Sequence, residues 1–369
     1  MRQQPPVRPG NGPKHGRLST DKVRLAVIGT GFAWERLHWP ALQELRDCYE
    51  IVAVCDIDRQ KAALAAQKIG LSEDRIYTDY KEMLNRQDID AVDVIVPIEL
   101  NYEVSEAVAR TGRNIICEKP LAPDMEQARR ARELPAKYGI KVMIAENYRY
   151  NEENNILRDL VNNQEIGRTL YFIRNDVSCF RCQMVKDTFA ATEWRQHPEY
   201  AGGDFLDAAL HDIAATRHIF GAVEKVQAFG RPQEMDFSPY RSIHAGILFK
   251  SGVIGQFSYF PSGKEVQRPL IGTRIFGDRG QIYLEEKTCG IINVFYNDGG
   301  HKMIPYQPLR GYYNEFRNFY QAMQGQELIG VTPEIEYGDV RMVFAILRSI
   351  AESRIVSVDT ADEYMMAGG

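Results

Sequence analysis

Residues 21–147 alternate short apolar runs with longer amphipathic segments. Runs rich in Val, Ile and Ala predict strands at residues 23–29, 51–56, 91–96, 114–117 and 142–145. Segments with apolar residues three or four positions apart predict helices at residues 35–45, 59–69, 102–111 and 124–138. Strands and helices that alternate in this way indicate βαβ units and a parallel sheet covered on both faces. The first domain is therefore predicted to be a doubly wound α/β domain over residues 21–147.

The pattern changes after residue 147. A predicted helix at residues 153–163 is followed by longer strands with alternating polarity at residues 169–177, 223–229, 243–249, 253–260, 273–277, 281–285 and 291–296. Helices are predicted at residues 311–323 and 335–354. Such alternation is typical of an antiparallel sheet with one face on the core. We expect residues 148–369 to form an α/β domain with a large, mostly antiparallel sheet that binds substrate and mediates formation of a homodimer or homotetramer.

Charge and composition exclude several classes of partner. The net charge is −5, which does not favour binding to nucleic acid or to an anionic membrane. The sequence has no apolar run near the ~20 residues that span a bilayer. Cys48, Cys55 and Cys117 lie in or beside predicted strands and helices, as buried thiols do in a reducing compartment. The sequence therefore predicts a cytoplasmic protein without nucleic-acid or membrane partners.

Two further segments carry weaker signals. Cys179 and Cys182 have CxxC spacing, but no second cysteine pair or nearby histidine pair completes a zinc site, so we expect no metal. Residues 1–20 are rich in Pro and Gly, contain several basic residues and lack the apolar stretch of a secretory signal. They are predicted to form a disordered basic arm, either an inert tail or, less favoured, a partner-binding segment.

A phosphate-binding loop is predicted directly after the first strand. Gly29 and Gly31 stand where a dinucleotide fold needs a tight turn and close approach of the backbone to a pyrophosphate. Trp34 replaces the third glycine of this fingerprint. Asp56 ends the next strand, 25 residues after Gly31, where a carboxylate bonds a ribose 2′-hydroxyl and repels a 2′-phosphate. The first domain is thus expected to be a Rossmann domain that binds NAD in preference to NADP.

Two groups of polar residues are candidates for catalysis. Lys119 follows the predicted strand at residues 114–117, at the sheet edge where open α/β folds bind ligands. Asp207 and His211 are four residues apart, which places them on one face of a predicted helix. An Asp–His pair on one face can orient an imidazole for proton transfer. Each of these signals alone also fits a surface lysine, a capping Asp or a core His.

Together these residues resemble the Gfo/Idh/MocA family, the relatives of glucose–fructose oxidoreductase and inositol dehydrogenase. The resemblance spans residues 22–358 and rests on Glu118-Lys119-Pro120, Tyr148-Arg149, Trp194-Arg195, Gly202-Gly203, Asp207, His211 and residues 339–353. It implies that Lys119 polarises the reacting oxygen, that His211 exchanges its proton and that Asp207 holds His211. The implied cofactor contacts are Gly29, Gly31, Phe32, Ala33, Trp34, Asp56, Pro97, Glu118 and Lys119. The implied substrate contacts are Lys119, Arg149, Trp194, Arg195, Asp207 and His211.

This family implies an NAD(P)-dependent dehydrogenase that interconverts alcohol and ketone on a small polyhydroxylated sugar, glycoside or cyclitol ring. Two alternatives stay open. One is an NAD-using glycosidase or other redox-neutral enzyme of the family, and the other is a non-catalytic sensor of sugar or dinucleotide. The chain departs from the family pattern at Trp34, which replaces a small residue. It also departs at Ile98, which replaces an Asn, and at Asn101, which replaces a His. We therefore expect altered contacts around the cofactor at these positions.

Overall fold

The computed structural model describes residues 22–185, 187–261 and 272–358. The predicted basic arm at residues 1–20 lies outside them. The first sheet consists of β1 (Val23–Ile28), β2 (Tyr49–Cys55), β3 (Ile76–Tyr77), β4 (Ala91–Val94), β5 (Asn114–Glu118) and β6 (Val142–Ala145). These six strands are parallel and lie in the order β3-β2-β1-β4-β5-β6. The strand order reverses between β1 and β4, which leaves a crevice at their carboxyl ends.

Helices cover both faces of this sheet, as the periodicity predicts. The helices up to residue 162 are α1 (Trp39–Glu44), α2 (Arg59–Ile69), α3 (Tyr80–Met83), α4 (Asn101–Ala109), α5 (Met125–Arg132), α6 (Leu134–Tyr138) and α7 (Glu152–Asn162). Short 3-10 turns occur at Glu73–Arg75, Ile98–Leu100 and Asn147–Arg149. The two-residue β3 was not predicted, because so short a strand carries no periodic signal.

The helix predicted at residues 35–45 begins instead as a π-helix, Trp34–His38, and continues as α1. The amide of Trp39 donates to the carbonyl of Trp34, five residues back. Pro40 near the start of α1 has no N–H and cannot supply the usual α-helical bond, which favours this wider turn. As a result Trp34 and His38 both point into the protein interior, where they are 1% and 0% exposed.

The second sheet contains β7 (Thr169–Val177), β8 (Val223–Pro232), β9 (Tyr240–Phe249), β10 (Ile254–Phe260), β11 (Gly272–Gly277), β12 (Gly280–Leu284), β13 (Ile291–Tyr296), β14 (His301–Pro305) and β15 (Val356–Ser357). Their order is β14-β13-β12-β11-β7-β10-β9-β8-β15, and only β7 and β10 pair in parallel. The predicted fold class, a Rossmann-like domain followed by an α/β domain with a mostly antiparallel sheet, is confirmed. The strands β14 and β15 were not predicted.

The helices of the second half are α8 (Glu193–Gln196), α9 (Gly203–Asp207), α10 (Ala209–Phe220), α11 (Gly311–Met323) and α12 (Pro333–Glu352), with 3-10 turns at Arg181–Gln183 and Phe189–Ala191. α12 packs on β8, whereas α11 leaves the second sheet and packs on α1. Phe316 and Phe319 of α11 are fully buried in one cluster with Trp34 and Tyr49. The Tyr49 hydroxyl also donates to the carbonyl of Phe316 at 2.6 Å. The two halves of the chain therefore share a hydrophobic core.

Within the described residues, no helix combines the length and the apolar character that crossing a membrane requires.

Candidate active site

The glycine loop, residues 29–34, has the geometry that a phosphate-binding loop needs. Gly29 has a φ of +93°, and a Cβ there would lie 1.9 Å from the carbonyl oxygen of Ile95, so only glycine fits. A Cβ at Gly31 would meet nothing within 4 Å. The backbone at Gly31 thus faces free space at the start of a helix, where a pyrophosphate would be received by backbone N–H groups. Both glycines fit the predicted dinucleotide.

Asp56 directly follows β2 and accepts hydrogen bonds from the glycine loop. Its Oδ2 accepts bonds from the amide and hydroxyl of Thr30 at 2.8 and 3.0 Å, and its Oδ1 accepts from the amide of Asp58 at 2.9 Å. The structure brings Gly29, Gly31 and Asp56 together at one sheet edge. A carboxylate oxygen has room for more than one hydrogen bond, so a ribose hydroxyl could be added to these contacts.

The aromatic residues of the glycine loop face different ways. Phe32 is half-buried and meets Phe189 edge-on at 6.0 Å, with the guanidinium of Arg36 4.1 Å above its ring. Ala33 is half-buried beside it. Trp34 is only 1% exposed and stacks on Trp39 at 5.5 Å. The prediction that Trp34 contacts the cofactor is wrong, because the π-helix turns its ring into the core shared with α11.

Replacing Trp34 with Ala is therefore expected to destabilise the fold by about 3–5 kcal/mol, as loss of a fully buried large ring does. The NAD affinity of the folded fraction should stay near that of the wild type. Urea denaturation and NADH fluorescence titration measure the two quantities. Trp194→Ala, which removes a half-buried tryptophan, is the matched control for stability. A Trp34→Ala variant of unchanged stability that loses NAD affinity would restore the original prediction.

Lys119 lies directly after β5, in a turn that is fixed by hydrogen bonds from the side chain of Asn101. Asn101 is fully buried, and its side-chain amide donates to the carbonyls of Glu118 and Pro120 at 3.0 and 2.7 Å. Pro97 follows the end of β4 by three residues and precedes the 3-10 turn Ile98–Leu100, and this turn leads directly into Asn101. Asn101 thus fixes the turn that contains Lys119. The sequence showed only that Asn101 differs from the family pattern, and it did not predict these hydrogen bonds.

Glu118 takes part in a buried chain of charges behind Lys119. Its Oε1 lies 2.9 Å from Nε2 of His38, whose Nδ1 lies 2.9 Å from Oδ2 of Asp93. Burial disfavours the charged imidazole, but Asp93 and Glu118 outweigh it and raise the pKa of His38 well above its usual range. Glu118 Oε2 also accepts from the amide of Lys119 at 3.0 Å. Each oxygen of Glu118 thus accepts one hydrogen bond within the protein, and its contact with the cofactor stays a prediction.

The ammonium of Lys119 is bonded to Asp207, at 2.8 Å from Oδ1 and 2.6 Å from the backbone carbonyl. Burial opposes ionisation of Lys119, but Asp207 and Glu118 outweigh it and raise the pKa. Arg195 binds the other oxygen of Asp207 at 2.7 Å and covers the ring of Trp194 at 3.9 Å. Burial also opposes ionisation of Asp207, yet Arg195 and Lys119 hold its pKa well below the usual range.

His211 does not pair with Asp207 as predicted. Its Nδ1 lies 2.8 Å from Oε1 of Glu146, and its Nε2 has no hydrogen bond to any described residue. The predicted single helix is broken at Ala208, between α9 and α10. The Asp207 carbonyl accepts from Lys119, and the amide of His211 bonds instead to the carbonyl of Ala208, three residues back. The i, i+4 spacing therefore does not put the two side chains on one face.

Further polar residues lie around His211 that were not among the predicted site residues. Tyr148 stacks on the ring of His211, with the ring centres 4.5 Å apart. Lys287, in the turn after β12, donates a hydrogen bond to the hydroxyl of Tyr148. Burial raises the pKa of Tyr148 to about 12. Arg174 of β7 binds Asp212 at 2.6 Å beside His211. Only Tyr148 and Glu146 had a usable signal, since both closely follow the predicted strand at residues 142–145.

Arg149, a predicted substrate contact, is not in the cleft. Its side chain is 4% exposed and forms a bidentate ion pair with Asp339 of α12, at 2.7 Å. Arg217 of α10 binds the same carboxylate. This prediction is wrong, because the 3-10 turn Asn147–Arg149 directs Tyr148 to His211 and Arg149 to the interior.

The cysteine pair at the end of β7 differs from the expectation in another way. Cys179 and Cys182 form a disulfide, which the sequence reasoning did not anticipate. Among the described residues, no group of His, Cys, Asp and Glu could hold a metal ion. Cys55 and Cys117 are buried free thiols, whereas Cys48 is half-buried.

The chemistry of this arrangement follows from the register of the sheet. Glu118 pairs with Ala145, so Lys119 and Glu146 leave neighbouring strands side by side. A protonated lysine and a histidine with an unbonded nitrogen thus converge at the carboxyl edge of the sheet. This combination can stabilise an alkoxide and accept its proton.

Comparison with known proteins agrees with these features. Residues 23–146 match the model of the oxidoreductase family with an NAD-binding Rossmann fold, and residues 158–358 match its C-terminal α/β domain. The chain is 25% identical to an uncharacterized protein of Saccharomyces cerevisiae, covering 90% of this chain and 97% of that one. It is 24% identical to 1,5-anhydro-D-fructose reductase of Ensifer adhaerens, covering 84% and 92%.

Among solved structures, levoglucosan dehydrogenase in complex with NADH has a similar fold. Its TM-score is 0.81 at 20% identity, with 92% of this chain and all of the other covered. The two family models together account for most of the chain and confirm the resemblance found in the sequence. The chain therefore belongs to the Gfo/Idh/MocA family of oxidoreductases, with an NAD-binding Rossmann domain followed by the family's C-terminal α/β domain.

Proposed function

We propose that this protein is an NAD-dependent dehydrogenase that interconverts a secondary alcohol and a ketone on the ring of a small sugar, glycoside or cyclitol. The observation that carries the proposal is the convergence of Lys119 and His211, each with a buried carboxylate partner, at the sheet edge beside the glycine loop. A sensor that only binds its ligand needs neither a charged lysine nor a free imidazole nitrogen there.

Lys119 is the electrophilic partner of the reacting oxygen in this proposal. Its raised pKa keeps the ammonium protonated, and its position is fixed by Asp207 and by the turn that Asn101 holds. A fixed cation stabilises the negative charge that develops on the oxygen when its proton leaves. Arg195 and Trp194 lie beside Lys119 and are the proposed substrate contacts on that side.

His211 is the proposed proton acceptor in the oxidation direction. Nδ1 is engaged by Glu146, which leaves Nε2 as the nitrogen that can take the hydroxyl proton. When bound, NAD supplies the acceptor for the hydride from the same carbon. Gly29, Gly31 and Asp56 would hold it, with Phe32, Ala33 and Pro97 near the crevice.

The substrate class is proposed from the polar character of the cleft and from the relatives. Lys119, Arg195 and Asp207 form one charged group, while Arg174 and Asp212 form another. Arg174 and Asp212 balance each other, and the one net positive charge of the first group is offset by Glu118 beside Lys119. Because the charges are balanced within the cleft, a neutral substrate with several hydroxyls suits it better than a charged one. The names of the relatives, an anhydrofructose reductase and a levoglucosan dehydrogenase, support a ring of this kind.

A direct test is a panel of anhydrosugars, glucosides and inositols incubated with the purified protein and NAD, followed by NADH absorbance. Oxidation of at least one ring alcohol is the expected result, and His211→Ala should slow it by roughly 10²–10⁴-fold. Mass spectrometry of the purified protein checks for bound nucleotide. Bound NAD with product formation but no net NADH would replace the proposal with the redox-neutral alternative. Ligand binding without any turnover would favour the sensor.

Replacing Asp56 with Ala should lower NAD affinity and narrow the preference for NAD over NADP. Loss of a hydrogen bond to a charged partner costs about 1.5–3 kcal/mol, which is a 10- to 150-fold rise in Kd. Isothermal titration with both cofactors measures the change. Asp74→Ala, which removes an exposed acid on the same domain, is the control. A wild-type protein that prefers NADP would rule out the assignment of Asp56.

We also propose that residues 21–147 bind the dinucleotide and that residues 148–369 bind substrate and join two or four copies of the chain. The outer face of the second sheet exposes Tyr171, Phe229 and Ile254, which are 43%, 71% and 60% exposed. An apolar face of this kind is typical of a subunit contact. Sedimentation velocity tests it, and a monomer at micromolar concentration would refute it.

We further propose that the protein works in the cytoplasm. The free thiols of Cys48, Cys55 and Cys117 support a reducing environment. In that environment the disulfide between Cys179 and Cys182 should open. Thiol counting in a fresh lysate under denaturing conditions tests this, since six reactive thiols are expected and four would contradict it.

A further inference from the structure

A single buried turn holds the imidazole of His211. Glu146 follows β6, is fully buried, and caps the 3-10 turn Asn147–Arg149 by accepting a bond from the amide of Tyr148 at 3.0 Å. The same carboxylate oxygen lies 2.8 Å from Nδ1 of His211. Tyr148 lies flat against the ring, at 4.5 Å and an angle of 17°. Glu146 therefore holds the Nδ1 edge of the His211 ring, and Tyr148 covers one of its faces.

The contact with Glu146 decides which nitrogen of His211 carries a proton. An ionised carboxylate can only accept hydrogen bonds, so Nδ1 must donate. In the neutral ring Nε2 is then a bare acceptor. The imidazole is 17% exposed, which leaves that nitrogen accessible from the cleft. A histidine without this partner would divide between two tautomers, one of which cannot accept a proton at Nε2.

The turn that carries Glu146 is itself anchored in the interior. Arg149, three residues on, is bound by both oxygens of Asp339, and Arg217 binds the same carboxylate. These buried ion pairs tie the turn to α10 and α12. Glu146 thus has the fixed position that orienting another side chain requires, since breaking a buried ion pair is strongly unfavourable.

Several other titratable groups surround the pair. Glu118 lies near the His211 ring, and Lys287 reaches Tyr148 behind it. Glu315 of α11 and Glu336 of α12 lie near Glu146 and are fully buried. Further groups that interact with this region are Lys119, Asp212, Arg174 and Tyr312. Burial, reinforced by neighbouring carboxylates that include Glu146, raises the pKa of Glu315 and Glu336 well above the usual range.

We propose that Glu146 is the positioning residue of the proton acceptor, the role that the sequence spacing assigned to Asp207. This inference rests on the proposed dehydrogenase function. During oxidation the substrate O–H bond breaks and its proton passes to Nε2 of His211, while the C–H bond breaks and its electron pair leaves with the hydride to NAD. The resulting imidazolium keeps its Nδ1–H bond to Glu146. Glu146 stays ionised, balances the new charge and takes no proton itself.

Replacing Glu146 with Gln removes the charge but retains the size and a carbonyl acceptor. Loss of the carboxylate that orients a functional histidine lowers metal affinity or activity by about 10-fold or more in metal sites. In a serine protease the same kind of loss lowers kcat by about 10⁴-fold. We expect kcat to fall roughly 10- to 1,000-fold within that range. KM should change little, and the acidic limb of the pH–rate profile should move to lower pH. Glu146→Asp should restore part of the rate.

Glu153→Gln is the matched control, because Glu153 is a buried carboxylate of α7 that forms no hydrogen bond or ion pair with His211 among the described residues. Burial raises the pKa of Glu153 to about 7. It should keep the wild-type kcat and pH profile. A kcat and a pH profile of Glu146→Gln equal to those of this control would overturn the proposal. Thermal melting of both variants establishes that they are folded.

A spectroscopic readout separates this inference from the proposed function. The chain has seven histidines, and the ring nitrogen signals of His211 are those that disappear in His211→Gln. In the wild type, NMR should show a proton on Nδ1 and a bare Nε2. Glu146→Gln should lower the midpoint of the ring titration. A bare Nδ1 in the wild type, or an unchanged midpoint in Glu146→Gln, would overturn the role of Glu146. The expected signals without turnover of any ring alcohol would support Glu146 and overturn the proposed function instead.

Discussion

His211→Ala is expected to lower turnover by roughly 10²–10⁴-fold, the usual contribution of a general base, while NAD affinity stays nearly unchanged. A hydride leaves a carbinol carbon only if the hydroxyl proton also leaves. In the structure His211 offers an unbonded Nε2 for that proton. Steady-state kinetics on a confirmed substrate and NADH fluorescence titration measure the two quantities. His301→Ala, which removes an exposed histidine of β14, is the control.

Lys119→Ala should produce a loss of similar size, because the alkoxide then lacks its cation. The double variant Lys119→Ala/His211→Ala should lose far less than the product of the two single losses, since each group is useful only when the other acts. Near-wild-type turnover of His211→Ala would disprove the assignment of the base and direct attention to Tyr148.

Asp207→Asn is expected to destabilise the protein by about 3–5 kcal/mol, the effect of removing one partner from a buried ion pair. Two half-buried cations, Lys119 and Arg195, depend on this carboxylate, and they hold its pKa well below the usual range against the opposing effect of burial. The stability that an acid with a lowered pKa contributes is present above the unfolded-state value and is lost as pH falls through the folded-state value. The measurement is urea unfolding at pH 6.

Asp204→Asn provides the matched control on the same short helix, α9. Burial raises the pKa of Asp204 to about 7, so at pH 6 this side chain is mostly protonated and resembles an amide. Tyr259 donates to it, and an asparagine oxygen can accept the same bond. Its unfolding free energy should change by less than about 1.5 kcal/mol, the size of a typical neutral hydrogen bond. Equal losses in the two variants would show that the ion pairs of Asp207 contribute nothing specific.

Much of the fold follows from periodicity alone, because strands buried on both faces and helices of ten or more residues leave strong patterns. The same reasoning places Gly29, Asp56 and Lys119 at one edge, since the carboxyl ends of parallel strands share it. The strands that escaped prediction are β3, β14 and β15. Two of them have only two residues, too few to show a period.

The errors in the site have physical causes that a linear pattern does not contain. The i, i+4 rule for Asp207 and His211 assumes a continuous helix, but Lys119, 88 residues earlier, takes the carbonyl that would continue it. Trp34 lies in a buried cluster that includes Phe316, a residue of a helix near the other end of the sequence. Glu146 was detectable only as an acid at the end of a strand, without evidence of what it would meet.

The core that α11 shares with the first domain has a consequence for how the protein unfolds. Phe316 and Phe319 belong to the C-terminal part of the chain, but they complete the hydrophobic cluster around Trp34 and Tyr49. Neither half can lose its packing without exposing apolar surface of the other. The two domains should therefore melt in one cooperative transition, and the width of the cleft between them should be set by packing rather than by a hinge. Selection among substrates would then depend on a preformed shape.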